Sequence, residues 1–384
     1  MNTKLLGSSL IISGTALGAG MLAIPMVLAQ FGLLYGTLLM IFICFGTTYA
    51  SLLLLEATIK TGGGLGLNTV ARKTLGLPGQ VATNGLLYAL LICLLMAYIL
   101  GAADLISQFT QNLGFEFSPT QSQVLFTLIS GLIITCGTGV IDKLNRSLFF
   151  VMIASLVMTL SFLVPDMDLS RDGSVLDPDH IGLIKTSAVL FTSFGSAVVI
   201  PSLVEYNAGA TNKQLRNMVI MGSLIPLVCY LVWLYAVVGN LDAQHLGQID
   251  GVGGLIAVFS DKSSWIASLL STFTGLALLT SFFGVAMALF NQNRDMFNQN
   301  KAVTYALTFV LPLAGSLLAA DKFLAVLGYA GIILVFLAVF IPLAMVHKLR
   351  KEKTESESYT AEGGVPMMVF SLMFGGFLLV SQLL

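Results

Sequence analysis

Two short stretches carry residue types that can recognise a ligand without any ionised side chain. Residues 13–25 read SGTALGAGMLAIP and residues 191–196 read FTSFGS. Each crowds glycine and small hydroxyl residues into an otherwise apolar run, with Pro25 or Pro201 a few positions on. Glycine weakens a helix by about 1 kcal/mol relative to alanine, and proline removes a backbone donor. A helix interrupted at such a place exposes N–H groups of partial positive charge, suited to a carboxylate. It also frees carbonyl oxygens, which suit an ammonium group or a cation, and glycine lets a ligand touch the backbone itself. This is binding chemistry. Gly14-x-x-x-Gly18 is equally a small-residue motif for close helix packing, so the first stretch alone leaves both readings open.

Groups for acid–base or metal chemistry are scarce. H-E-x-x-H and G-x-S-x-G are absent, and no pair of acids sits in the middle of an apolar run, which argues against an intramembrane enzyme. Cys44, Cys93, Cys136 and Cys229 fall inside apolar runs without C-x-x-C spacing and read as small hydrophobic residues. His180, His245 and His347 all avoid the middle of such runs, against a histidine proton relay. Glu56, Asp104, Lys185 and Glu205 lie toward run ends, where snorkelling, a local ion pair or a gate would each account for them. Thr280 and Ser281 are adjacent hydroxyls within a run, and such a pair can bond back to its own helix carbonyls.

The frame that must position these residues is a membrane one. Of 384 residues, 56% are hydrophobic and 10% charged, where a soluble chain has about 25% charged. Hydropathy marks eleven spans, at roughly 5–30, 33–57, 81–110, 121–141, 147–164, 182–207, 218–239, 264–290, 301–319, 324–347 and 365–384. The first has no A-x-A-like cleavage site and reads as retained. Most of the 18 Lys and Arg fall on one side of these spans, and only Arg171, Lys185, Lys262 and Lys322 on the other. The amino terminus is therefore expected inside and the carboxyl terminus outside. No basic run interleaves with aromatics as nucleic-acid binding would require.

Five spans in 1–164 are followed by an outer loop at 165–181 and five more spans in 182–347. A cytoplasmic loop at 348–364 leads to the eleventh span at 365–384. Five is odd, so the second set enters from the opposite face, and two like halves would form an inverted repeat. The first span is expected to break near 14–20 and the sixth near 191–196, each about a dozen residues in. Irregular backbone at membrane depth survives only when buried in protein or lining a wet cavity. Two broken helices at matching positions point to a transporter's substrate site. An ion channel is the weaker reading, since no charged ring or filter-like loop is present.

On GTALGAGMLAIP at 14–25, FTSFGSAVVIPSLVEY at 191–206, LRNMVIMGSLIPL at 215–227, LLTSFFGVAMALF at 278–290 and LGYAGIILVFLAVFIP at 327–342, the chain resembles the hydroxy and aromatic amino acid permease family. Its bacterial tyrosine-specific branch is the nearest in pattern. The resemblance implies an all-α membrane protein of the leucine-transporter fold, five helices plus five inverted ones, with one extra. It implies import of an aromatic amino acid, tyrosine foremost, across the bacterial inner membrane. The mode implied is alternating-access symport with a cation, the proton ahead of sodium. No enzyme activity, cofactor, nucleic acid or obligate protein partner is implied, only the amino acid and the bilayer. Thr15, Gly18, Ala19 and Gly20 would meet the carboxylate, and Phe191, Thr192, Ser193, Phe194 and Gly195 the ammonium and the ring. Tyr98 would close over the substrate or simply pack. Thr280 and Ser281, with Ala16, would coordinate sodium if sodium is the ion. Glu56, Asp104, Glu205 and Tyr329 are gating candidates, Glu205 standing where the family leads one to expect an uncharged residue.

Overall fold

The computed structural model describes residues 3–62, 66–112, 114, 116–135, 138–168, 179–241, 251–297, 301–319, 322–352 and 359–384. Cys136, Arg171 and His245, with parts of the loops expected at 165–181 and 348–364, lie outside these residues. The described residues are helical and contain no strand. We call the end of the bundle where the first helix starts the base, and the opposite end the top.

Helices α1 (Thr3–Ala16) and α2 (Gly20–Leu28) rise from base to top and are separated at residues 17–19. After α3 (Gly32–Lys60), α4 (Leu67–Asn112) contains one left-handed residue, Gly76 at φ 77°, which turns a short base segment into the long crossing helix. Only glycine adopts that φ without strain, and Pro78 follows at once. Helices α5 (Pro119–Thr135) and α6 (Thr138–Leu163) complete the first half. The next crossing is made of pieces: α7 (His180–Lys185), α8 (Ser187–Ser193), a 3-10 turn at Ala197–Val199 and α9 (Ile200–Tyr206). Then come α10 (Asn212–Val238), α11 (Val252–Lys262), α12 (Ser264–Phe297) and α13 (Lys301–Leu318). Helix α14 (Phe323–Val335) widens into a π-turn at Phe336–Phe340 before α15 (Ile341–Lys351), and α16 (Gly364–Val380) is last.

Seven helical stretches of the described residues are long and apolar enough to cross a membrane, and the helices at Pro119–Ile134, Ala302–Leu318 and Gly364–Val380 are shorter apolar ones. Two segments expected to be connections are helical instead. Residues 67–75 form the base segment of α4, and the polar-looking stretch 240–264 contains α11, whose VGGLIAVF run buries Val252, Leu255, Ile256 and Phe259.

Packing follows a paired pattern. Helix α12 lies along α6 as α14 lies along α4, and α10 holds α1 as α3 holds α8 and α9. The join between α1 and α10 shows how the sequence specifies such a contact. Pro226 has no N–H, so the carbonyl of Gly222 loses its usual partner in α10. The Ser13 hydroxyl donates to that carbonyl at 3.0 Å, and Ser9, one turn earlier, donates to the Met218 carbonyl at 3.1 Å. Asn207, just past α9, donates its amide to the Ser8 hydroxyl at 2.8 Å. Helices α1, α9 and α10 are thereby tied into one unit through buried polar contacts.

Gly222 must be glycine for this contact, because an added Cβ would lie 2.6 Å from the Ile12 Cβ. Gly222→Val should lower stability by about 1–3 kcal/mol through overpacking, read as a drop in melting temperature of the purified protein. Gly85→Ala, where a Cβ meets nothing within 4 Å, should leave it unchanged or slightly raised.

Candidate functional site

The two interruptions meet each other. At the first, the Gly18 amide turns back to the Ala16 carbonyl at 2.8 Å, while Met21 and Leu22 donate to the Gly18 and Ala19 carbonyls at 3.0 and 3.2 Å. At the second, the Gly195 amide reaches Thr192 O at 3.0 Å and the Ser196 amide reaches Phe194 O at 2.9 Å. Gly20 lies so close to the second break that a Cβ would stand 2.8 Å from the Ser193 Cα. The Ser193 hydroxyl donates to Gly20 O at 2.9 Å. Tyr230 of α10 completes the junction, its hydroxyl lying 2.6 Å from Ala16 O and 2.7 Å from Ser193 O. The Tyr230 ring is fully buried and meets Phe194 edge-on at 5.1 Å.

Two further hydroxyls reach the first break from the other side. Ser281 of α12 faces Gly18, its Oγ only 2.7 Å from where a Cβ would be. Tyr98 of α4, itself buried, brings its hydroxyl beside Ser281. Thr280 turns away, donating within its own helix to Leu276 O at 2.8 Å.

Below the junction lie two exposed stripes. The top half of α12 exposes Trp265, Ser268 and Thr272, whereas the base half exposes Gly284 and Ala288. At about 3.6 residues per turn, Ser281 and the stripe below it lie on the opposite side of the helix from Thr272. Phe283 and Ala286, which continue the upper stripe, are buried. Helix α1 behaves the same way, with Ser9, Ile12 and Ser13 buried against α10 while Ile11 and Thr15 on the Gly18 side are exposed. Gly18 and Ser281 face each other at the upper ends of these two exposed stripes. Above the junction, every residue of α2 from Met21 to Leu28 is buried. Among the described residues, then, the stripes next to the junction are exposed on its base side and buried on its top side.

A sequence profile of the tryptophan/tyrosine permease family matches residues 1–382. The chain belongs to that family. Among relatives, Glutamine transporter 2 of Aliivibrio fischeri is 60% identical over the full length of both chains. Tyrosine-specific transport system 1 of Haemophilus influenzae is 34% identical over 97% of this chain and 94% of its own. A tryptophan-specific transport protein of Pseudomonas aeruginosa is 30% identical over 97% and 92%. As a family member the protein is a multi-pass membrane permease for a small molecule, and permeases are not enzymes.

In this permease the other expected site residues are placed as follows. Ala19 and Gly195 lie at the breaks. Phe191 packs edge-on against Phe374 of α16 at 5.9 Å. The Thr192 hydroxyl lies 2.9 Å from Ala188 O and 3.0 Å from Leu327 O, tying α8 to α14. Thr15 lies on the exposed stripe of α1, its hydroxyl donating to Ile11 O at 2.8 Å. Glu205 is exposed at the end of α9. Tyr329 is 60% exposed, and its neighbour Gly331 is the residue that packs against Ala188 O. At the top, Asp104 accepts the Val252 amide at 3.0 Å and so anchors the start of α11.

Glu56 is wholly buried at the base in a cage of donors. Lys60 Nζ lies at 2.7 Å, Arg350 Nε and Nη2 at 2.9 and 2.6 Å, and the Ala361 amide at 2.9 Å. Arg350 also donates to Ala361 O at 3.1 Å, and Glu362 pairs with Arg216. The segment before α16 is thus fastened to α3, α10 and α15 together, and burial pushes the Tyr359 phenol there up to about 12. Tyr230 and Arg350 were not among the residues the sequence singled out. Tyr230 has one signal, a phenol within CYLVWLYAVV that must find a partner in an apolar run.

Cysteines placed at Gly284 and Ala288, in a background without the native cysteines, should react with hydrophilic thiol reagents, whereas one at Ala23 should not. Glu56→Gln leaves Arg350 and Lys60 facing no buried anion, and should cost about 3–5 kcal/mol in thermal unfolding. Arg350→Lys, which keeps the charge but loses the two-pronged contact, should cost less.

Proposed function

We propose that the protein imports a neutral amino acid across the bacterial inner membrane by cation symport, binding it at the junction of the two breaks. The observation that carries this reading is the junction itself: bare amides and carbonyls from two interrupted helices, in contact, with exposed stripes of α1 and α12 below them and the buried α2 above. The amides of Ala19 and Gly20, which have no backbone acceptor, suit the carboxylate. Glycine at 18 and 20 lets it approach.

The base is the cytoplasmic face in this reading, because Lys60, Arg72, Lys73, Arg216, Arg294 and Arg350 gather there. Counting α1 with α2, α7 to α9, and α14 with α15 as single crossings, and leaving out the short α11, gives eleven spans, with the termini on opposite sides. The paired packing of α12 on α6 and α14 on α4 is what two inverted five-helix halves of a leucine-transporter fold would produce. Exposure below the junction and burial above it is the distribution an inward-open state would give. Helices α1, α3, α9 and α10 would rock against α4, α5, α12 and α13 in the cycle, consistent with the polar ties that bind α1, α9 and α10.

For the side chain, glutamine stands first and tyrosine second. The relative at 60% identity is named for glutamine, those at 34% and 30% for tyrosine and tryptophan. The geometry agrees with a polar, uncharged side chain: the hydroxyls of Tyr98 and Ser281 converge on the break, while Phe191 and Phe194 are engaged with Phe374 and Tyr230. For the ion, the proton stands ahead of sodium, because Thr280, one of the two hydroxyls a sodium ion would need, bonds within its own helix.

Proteoliposomes holding the protein should accumulate labelled glutamine under an inward proton gradient, with weaker uptake of tyrosine. A sodium gradient alone should add little. Gly18→Leu, which drives a side chain into Ser281, and Gly195→Leu, which drives one into Leu334, should abolish uptake without preventing membrane insertion. Normal transport by both variants would show that the substrate binds elsewhere.

A further inference from the structure

The Tyr230 hydroxyl stands in an electrically unusual place. A phenol has one proton to donate, yet both of its short contacts, at 2.6 and 2.7 Å, are to carbonyl oxygens that can only accept. The Gly18 amide brings one more proton to Ala16 O at 2.8 Å. Three oxygens from three helices therefore converge with two protons among them. At any instant, one of the two O···O contacts of Tyr230 has no proton in it. An interior cluster short of donors is costly unless something supplies them. The described neighbours do not: Ser193 sends its own hydroxyl proton to Gly20 O or Val189 O, and the Phe194 ring covers Tyr230 from the side.

We propose that Tyr230 is a positioning residue of the substrate site: its hydroxyl holds the Ala16 and Ser193 carbonyls together, and the oxygen it leaves without a proton receives an N–H of the substrate's ammonium group. This inference rests on the reading that an amino acid binds at the junction, and adds the residue that sets its amino end. An ammonium has three N–H donors, and one of them fills the single contact that the cluster leaves without a proton. The phenol proton can turn to either carbonyl, so the two breaks stay tied whether or not substrate is present. Selectivity for a free amino group follows, because a carboxylic acid without one would leave the cluster unfilled.

Tyr230→Phe keeps the ring packed on Phe194 and removes only the hydroxyl. Its KM for glutamine or tyrosine uptake should rise roughly tenfold or more, the loss of a hydrogen bond to a charged group, with kcat changed far less. The unliganded variant should melt close to the unaltered protein but lose the upward shift that substrate gives. A second variant carrying 4-aminophenylalanine at 230 can donate to both carbonyls at once. It should melt at least as high as the unaltered protein and still bind substrate weakly, since no carbonyl is left open. Unchanged KM in Tyr230→Phe, or full binding by the amino variant, would overturn the proposal. A lowered melting temperature with unchanged KM would overturn it as well, by showing a structural tie only. Failure of the unaltered protein to take up any amino acid would instead sink the reading on which the inference rests.

Discussion

A peptide group inside a bilayer has no water to turn to, and each one left unpaired in hydrocarbon costs several kcal/mol. This protein interrupts two of its helices at mid-depth and thereby frees peptide groups where they are hardest to satisfy. Much of its architecture follows from finding them partners. Each break is pressed against the other, Gly20 to Ser193, so that each shields the other from lipid. Carbonyls of both breaks are met by one hydroxyl brought from another helix, that of Tyr230 in α10. The same economy appears at Pro226, where a deliberately absent N–H is answered by Ser13. Small hydroxyl side chains act throughout as movable backbone partners, satisfying carbonyls that regular helix geometry has abandoned.

How much of this can be read from residues alone depends on whether the signal is local. A break is local: Gly14, Gly18 and Gly20 before Pro25, or Gly195 before Pro201, stand out against apolar neighbours wherever the rest of the chain goes. Membrane crossings are local too, being set by length and hydropathy. Side-chain direction is not. Phe191 and Thr192 sit beside the second break in sequence, yet one points to Phe374 and the other to α14, because a helix turns about 100° between neighbours. Tyr230 carries only the weak signal of a phenol in an apolar run, and its two partners lie 214 and 37 residues away. Helix α11 was hidden for a different reason. Its apolar run is too short to register as a span, and it buries its face against α12 and α4 instead of lipid.

The charged residues divide in the same way. Glu56, Asp104 and Glu205 can all be seen to approach span ends, but sequence position says nothing about what each meets. Asp104 holds the start of α11, Glu56 sits inside a cage of cations and an amide, and Glu205 is exposed. The junction at mid-depth is accordingly built from neutral groups, and the ionised ones in these ties work at its two ends. That separation suits a permease whose ligand brings its own opposite charges: the interior supplies dipoles, and a zwitterion completes them.

The Glu56 cage has a consequence for how the chain is made. Glu56 enters the bilayer with the second crossing, while Arg350 follows 294 residues later. Throughout that interval the cation at hand is Lys60, one turn along the same helix at 2.7 Å. The early carboxylate thus travels with a cation of its own, and the two-pronged partner joins it eight crossings later. The seat of α16 is complete only with both partners in place, since Ala361, just ahead of it, bonds to Arg350 and to Glu56 alike.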